Sequence, residues 1–278
     1  MQTSYPGKNK EDLLLRVLKD IQQYRNNVIL IGGWLPYIYK NFLWKTSKAV
    51  DIIGTQDIDF ALKEIYSFSG EPIAKKFNRA GNYKTERVYN PEELPVYFYA
   101  SNGESEMRID FISHEFADPK IVRKLTGEEI EVIPLEYIEL LLRDKNIKEI
   151  SIDWHGEKVY VRVPAPAAYL FVKTIALSDR AVKEDTYKFR KDLWTIFFIF
   201  DNIPQEDEQE LLNRLQDFKS DRQYYDFFIK NIQQYFASIN SPGPKAVSEL
   251  LNIPEEFIKR KVLKTVTRFI QLFKTTVS

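Results

Sequence analysis

Val28-Ile29-Leu30-Ile31-Gly32-Gly33-Trp34, followed after 20 residues by Thr55-Gln56-Asp57-Ile58-Asp59-Phe60, decides how this chain is read. The first stretch is an aliphatic run ending in two glycines, the pattern of a buried strand entering a tight turn. The second alternates acidic and apolar residues. As a strand it puts Asp57 and Asp59 on one face and Ile58 and Phe60 on the other. A third stretch, Met107-Arg108-Ile109-Asp110-Phe111-Ile112, repeats the alternation. It carries Arg108 and Asp110 on one face, with Met107, Ile109 and Phe111 on the opposite one. A neighbouring-strand arrangement brings Asp110 beside the first two aspartates. Three carboxylates at one spot repel each other, and a site that keeps them charged holds a divalent cation. Oxygen-only ligands favour magnesium over zinc. The glycine turn adds backbone N–H groups able to hold a phosphate.

Around these stretches the N-terminal part alternates helix and strand signals. Residues 11–25 have apolar positions at helical spacing, and 35–44 read as a helix with Pro36 tolerated in its first turn. Residues 96–100 and 107–113 read as the third and fourth strands, 129–133 as a short strand, and 134–144 as a helix. Both arms of 149–163 alternate about His155-Gly156, which predicts a hairpin. The character changes at Pro164-Ala165-Pro166, beyond which the pattern is helical throughout. The expected fold class is α+β: a mixed β-sheet flanked by helices over residues 1–165, then a helical bundle over 166–278.

Composition bounds the function. Of 278 residues, 44% are hydrophobic and 29% charged, as in a globular protein with a sizeable core. No apolar window is long enough for a membrane span, and the first twenty residues lack the apolar core of a signal peptide. The absence of cysteine excludes disulfides, thiolate metal sites and cysteine nucleophiles, and fits a reducing cytoplasm. Formal net charge is zero, so bulk electrostatics does not demand nucleic acid. The local exception is Lys259 to Lys274, with six basic residues and no acidic one.

The order of an apolar strand, Gly32-Gly33, a helix, Asp57-Ile58-Asp59 and a later Asp110 resembles the nucleotidyltransferase superfamily, whose fold is shared with DNA polymerase beta. Gly32-Gly33-Trp34, Thr55 two residues before Asp57, and Asp110 narrow the resemblance to the AbiEii-type branch. That branch includes the toxins of type IV toxin–antitoxin systems. It also has a proline-led helix bearing a lysine and a later helix opening on a basic residue and an aspartate, matched here by Pro166 to Lys173 and by Lys191-Asp192. The chain departs from the pattern twice: Thr195 stands where the branch often has a further acid, and Ile53 where related members usually have arginine.

The resemblance implies transfer of a nucleoside monophosphate from a nucleoside triphosphate to a hydroxyl, with pyrophosphate leaving. It implies two magnesium ions, or manganese in their place, held by Asp57, Asp59 and Asp110. It gives catalytic roles to these three and to Lys173. Triphosphate binding would fall to Gly32, Gly33, Thr55, Lys173 and Lys191, with Asp192 orienting Lys173. The implied acceptor is an RNA, such as the 3′ end of tRNA, and the implied partner a cognate antitoxin. Two alternatives stay open: nucleotidylation of a small molecule or protein, and a non-catalytic nucleotide- or partner-binding module.

Several residues read two ways. Arg108 serves equally as a salt-bridge partner of Asp110 or as a substrate contact. Trp34 and Trp44 fit core packing better than stacking on a base. His114 and His155 have no spaced partner for zinc. Residues 245–254 have some look of a helix-turn-helix, and the basic row from Lys259 fits a solvated face better than an RNA contact.

Overall fold

The computed structural model describes residues 8–46, 55–63, 68–87, 96–103, 105–128, 130–182, 186–251 and 255–275. In chain order these form α1 (Lys8–Asp20), β1 (Val28–Ile31), α2 (Leu35–Ile38), β2 (Asp57–Leu62), α3 (Ile73–Ala80), β3 (Tyr83–Arg87), β4 (Val96–Ser101) and β5 (Glu106–His114). Then follow α4 (Pro119–Thr126), β6 (Val132–Leu135), α5 (Ile138–Leu142), β7 (Ile147–Trp154) and β8 (Glu157–Pro164). The remainder is helical: α6 (Pro166–Ile175), α7 (Leu177–Val182), α8 (Thr186–Asn202), α9 (Gln205–Asp217), α10 (Arg222–Tyr235), α11 (Pro242–Leu251) and α12 (Glu255–Thr275). The chain divides into two compact units. Among the described residues, 8–38 and 55–164 make a sheet unit, and 39–46 with 165–275 make a helical unit.

The sheet is mixed, with strand order β1-β2-β5-β4-β3 and β6 also on β5. Strand β2 runs antiparallel to β1 and parallel to β5. Along its other edge β5 pairs first with β4, antiparallel, and then with β6, parallel. One sheet face is a dry core. Ile58, Phe60, Phe98, Met107, Ile109 and Phe111 are all buried. The Phe60 and Phe111 rings lie 5.9 Å apart, and α3 presses Phe77 onto Phe98 and Phe111 at 5.3 and 6.4 Å. Phe77 also stacks on Tyr83 at 4.1 Å. Phe77→Ala therefore removes the ring that ties α3 to three strands, and is expected to destabilise by about 3–5 kcal/mol in urea unfolding. A loss below about 1 kcal/mol would show that α3 contributes little to this core.

Strands β7 and β8 form a separate two-stranded hairpin. Its turn residues, His155 at φ 49° and Gly156 at φ 79°, both have positive φ, which matches the right-handed twist of the arms.

The helical unit is built on α6 and α8. From Ala167 to Ile175 only Lys173 in α6 is not buried, and α8 is buried from Asp192 to Phe200. Helices apolar nearly all round belong in a core. Phe171 stacks on Phe218 at 4.2 Å and on Phe228 at 5.1 Å. Residues 39–46 join this core from far upstream: Tyr39 meets Tyr169 at 6.0 Å and Trp44 meets Phe198 at 6.2 Å. Trp34 is buried in the sheet unit edge-on to Tyr37. Both tryptophans are thus core residues.

Some elements depart from expectation. Strand β3 and helices α3 and α4 are additional, so residues 96–101 and 106–114 are the fourth and fifth strands. The helix expected over 35–44 is four α-helical residues followed by a π turn, Tyr39–Leu43. Residues 242–251 and 255–275 are both helical, with the intervening 252–254 outside the described residues. No helix among the described residues is long and apolar enough to cross a membrane.

Candidate active site

Strand register settles where the three aspartates lie. Asp59 is directly opposite Asp110 across the β2–β5 pair, and Asp57 is opposite Arg108. With side chains alternating along each strand, all four polar side chains emerge on one face. Their apolar neighbours Ile58, Phe60, Ile109 and Phe111 anchor the other face in the aromatic core. Adjacent strands are about 4.8 Å apart, so Asp59 and Asp110 are held as close like-charged neighbours. Asp110 is buried at 6% exposure, whereas Asp57 and Asp59 are half-buried.

On the other side of β2, Ile31 pairs with Asp59, and the glycines follow at once. Gly32 has φ +74°, a conformation that side-chain-bearing residues resist. A Cβ built on Gly32 would lie 1.8 Å from Oδ2 of Asp59. The turn thus runs directly against the acid, and only a residue without a side chain fits. Gly32–Trp34 form a single 3₁₀ turn leading into the short α2. The helix behind the glycines is therefore much shorter than expected, and so is the dipole it adds to the turn.

Arg108 is the cation that pairs with Asp110 on this face. Its Nε and Nη2 both donate to Oδ2 of Asp110, at 3.1 and 2.6 Å. Partial burial works against charge on the guanidinium. The Asp110 bonds and the nearby Asp57 carboxylate outweigh it and raise the pKa above the ordinary arginine value. Of the two readings of Arg108, the structure shows the ion pair. Thr55 is buried, and its hydroxyl donates to the Asp57 carbonyl at 3.4 Å, a long contact that fixes the entry to β2.

The donor set is all oxygen, from three aspartates on one face, as a magnesium or manganese site requires. The space above Asp59 is kept by the missing Gly32 side chain. A guanidinium already stands at Asp110 as a cation, on the residue opposite Asp57. As the side chains stand, no three His, Cys, Asp or Glu among the described residues are gathered tightly enough to ligate an ion together. The three aspartates fit a divalent ion in donor type and in sharing one sheet face, but not in their present side-chain positions, where Asp110 is turned to Arg108.

Lys173, Lys191 and Asp192 belong to the helical unit, where Asp192 gathers Lys173 and Arg180. Asp192 is buried and accepts from Lys173 Nζ at 2.6 Å and from Arg180 Nε. The Lys173 ammonium also lies 5.5 Å from the Tyr169 ring. The structure thus joins Asp192 and Lys173 by a direct hydrogen bond. Lys191 sits half-buried one residue before Asp192, and its carbonyl accepts from the Thr195 hydroxyl. Arg180 was not among the expected site residues; it reaches the same carboxylate from α7, the helix after the one that carries Lys173. Ile53 lies outside the described residues. His155 contacts Asp12 at 3.2 Å on the exposed hairpin turn, away from any ligand cluster.

No curated protein matches the chain. A solved structure, described as an antigenic nucleotidyltransferase-like protein from Paracoccidioides brasiliensis, is similar at 13% identity and a TM-score of 0.37. That similarity covers 78% of this chain and 94% of the other. A family model described as nucleotidyltransferase matches residues 10–219. The matched span runs from α1 through the glycine turn and all three aspartates to the end of α9, most of the 278 residues. By that match the chain belongs to the nucleotidyltransferase family.

Proposed function

We propose that the protein moves a nucleoside monophosphate from a nucleoside triphosphate to a hydroxyl acceptor, with Asp57, Asp59 and Asp110 holding divalent cations, magnesium or manganese. The observation that supports it most is the register of Asp59 against Asp110 with Gly32 seated on the same carboxylate. Bound divalent ions supply positive charge to the phosphoryl, attacking and leaving oxygens. The protein's own residues do the rest. Gly32 and Gly33 offer backbone N–H groups to the outer phosphates, and Thr55 a hydroxyl. Asp110 accepts the acceptor's hydroxyl proton as the new oxygen–phosphorus bond forms and the bond to pyrophosphate breaks. Within the helical unit, Asp192 fixes the Lys173 ammonium.

The acceptor we infer is an RNA 3′ end, tRNA included, in a toxin-like protein of the AbiEii type with a cognate antitoxin. The basic row on α12 is not its contact in this reading. Four of its six cations already pair with acids: Lys259 with Glu255, Arg260 with Glu256, Lys261 with Asp201 and Arg268 with Glu208. That pairing favours, as a second reading, an acceptor hydroxyl on a small molecule or a protein. Salt separates the two, because RNA binding weakens steeply as ionic strength rises.

The test is purified protein with magnesium, nucleotides labelled at the α-phosphate, and total RNA or small hydroxyl compounds. Transfer is expected, and Asp59→Asn should reduce it about a thousandfold while leaving the melting temperature close to that of the parent. A parent protein that binds triphosphate yet transfers nothing refutes the proposal. So does an Asp59→Asn protein of undiminished activity.

A further inference from the structure

We propose that Arg108 is a resident counter-cation of the acidic site: it holds Asp110 by its guanidinium, must be displaced before a divalent ion ligates that carboxylate, and so sets how tightly the ion binds. This rests on the cation-dependent reading above. Arg108 is placed for the task by strand geometry. It sits two residues before Asp110 on the same face of β5, and directly across from Asp57 on β2. Two of its N–H groups converge on one oxygen, Oδ2 of Asp110. The carboxylate they hold is 6% exposed, so water does little to replace them. Hydrogen bonds between ionised partners are about twice as strong as neutral ones.

An ordinary surface ion pair between exposed side chains contributes little. Here the acid is buried, and it is one of the three that the reaction needs. The guanidinium and a divalent ion compete for the same oxygen and, a few ångströms apart, repel each other. Ion binding therefore includes the loss of a two-pronged, charge-assisted contact, and affinity falls by that amount. The arrangement has a use: it keeps a buried carboxylate neutralised and in position between turnovers. Asp110 is released only when a stronger cation arrives, and the freed guanidinium then faces the same side as the polyphosphate. Arg108 is in this sense a positioning residue rather than a catalytic one.

The test is Mn2+ binding to the full chain without nucleotide, followed by the electron-paramagnetic signal of the free ion. Thermal melting verifies that each variant is folded. Arg108→Gln should bind Mn2+ about tenfold more tightly than the parent, the effect of losing one charge-assisted contact. Arg108→Lys, which keeps the charge but lacks the fork, should fall between the two. Asp59→Asn should bind less tightly than the parent. Equal or weaker binding by Arg108→Gln overturns the proposal while leaving the cation-dependent reading intact. If Arg108→Gln does not fold, Arg108→Lys carries the same comparison: tighter binding than the parent supports the proposal, and equal or weaker binding overturns it. Absence of Mn2+ binding in folded parent and variants alike overturns both this proposal and the reading beneath it.

Discussion

Gly32→Ala is expected to lower turnover about a hundredfold and to destabilise the fold. Two effects combine. The backbone at φ +74° resists a side chain by about 1–2 kcal/mol. The new methyl would also land 1.8 Å from Oδ2 of Asp59, so the carboxylate or the turn has to move. Displacing a reacting group by about 1 Å is enough for a hundredfold loss. Gly81→Ala separates the two contributions. Gly81 has a similar φ of +71°, with open space where its Cβ would be. Both variants should show the backbone penalty in urea unfolding, whereas only Gly32→Ala should lose turnover. Equal activity in the two would mean that the glycine turn and Asp59 do not have to keep their present distance.

Asp192→Asn is expected to be the most destabilising polar change in the helical unit, by about 3–5 kcal/mol. Asp192 is 3% exposed at its side chain and answers two cations, Lys173 at 19% and Arg180 at 30%. Neutralising it leaves two positive charges facing each other with little water to screen them. The double variant Asp192→Asn, Lys173→Met should recover part of the loss, since it removes one of the orphaned charges along with the acid. Chemical unfolding of the two variants measures this. If the single change costs less than about 1 kcal/mol, the two cations simply turn to solvent, and the cluster does not fix Lys173.

The strands that carry the site were legible because their sequences record both faces. Asp57-Ile58-Asp59-Phe60 and Arg108-Ile109-Asp110-Phe111 alternate so strictly that the face of each side chain follows, although Asp110 is buried on the polar face. Strand β3 was not legible, since Lys84, Thr85 and Glu86 are all exposed at the edge of the sheet and give no apolar stripe. Helix α4 was missed although its ends are marked: Asp118 caps the Lys120 amide at 2.8 Å, Pro119 opens the first turn and Gly127 closes the last. It is only two turns long, and periodicity is a poor guide over so few residues. In the site, the two glycines announced a turn. That one of them touches the Asp59 carboxylate depends on the β1–β2 register, which no local pattern contains. Arg108 could be placed on the face of Asp110, but the pattern alone could not decide between an ion pair with that acid and a substrate contact; the paired geometry shows the ion pair. Arg180 stands outside the motif positions, and its tie to Asp192 depends on how α7 packs on α8, which no local pattern contains.

The helical unit takes in residues 39–46 as well as everything from 165 onward. Tyr39 against Tyr169 and Trp44 against Phe198 are ring contacts that the C-terminal half cannot supply from its own sequence. A fragment severed at the proline pair would leave with a gap where two aromatic plugs belong. Its N-terminal counterpart would carry those same two rings exposed to water. The polypeptide is interleaved rather than concatenated, and neither portion can be inherited, excised or transplanted whole by a single scission.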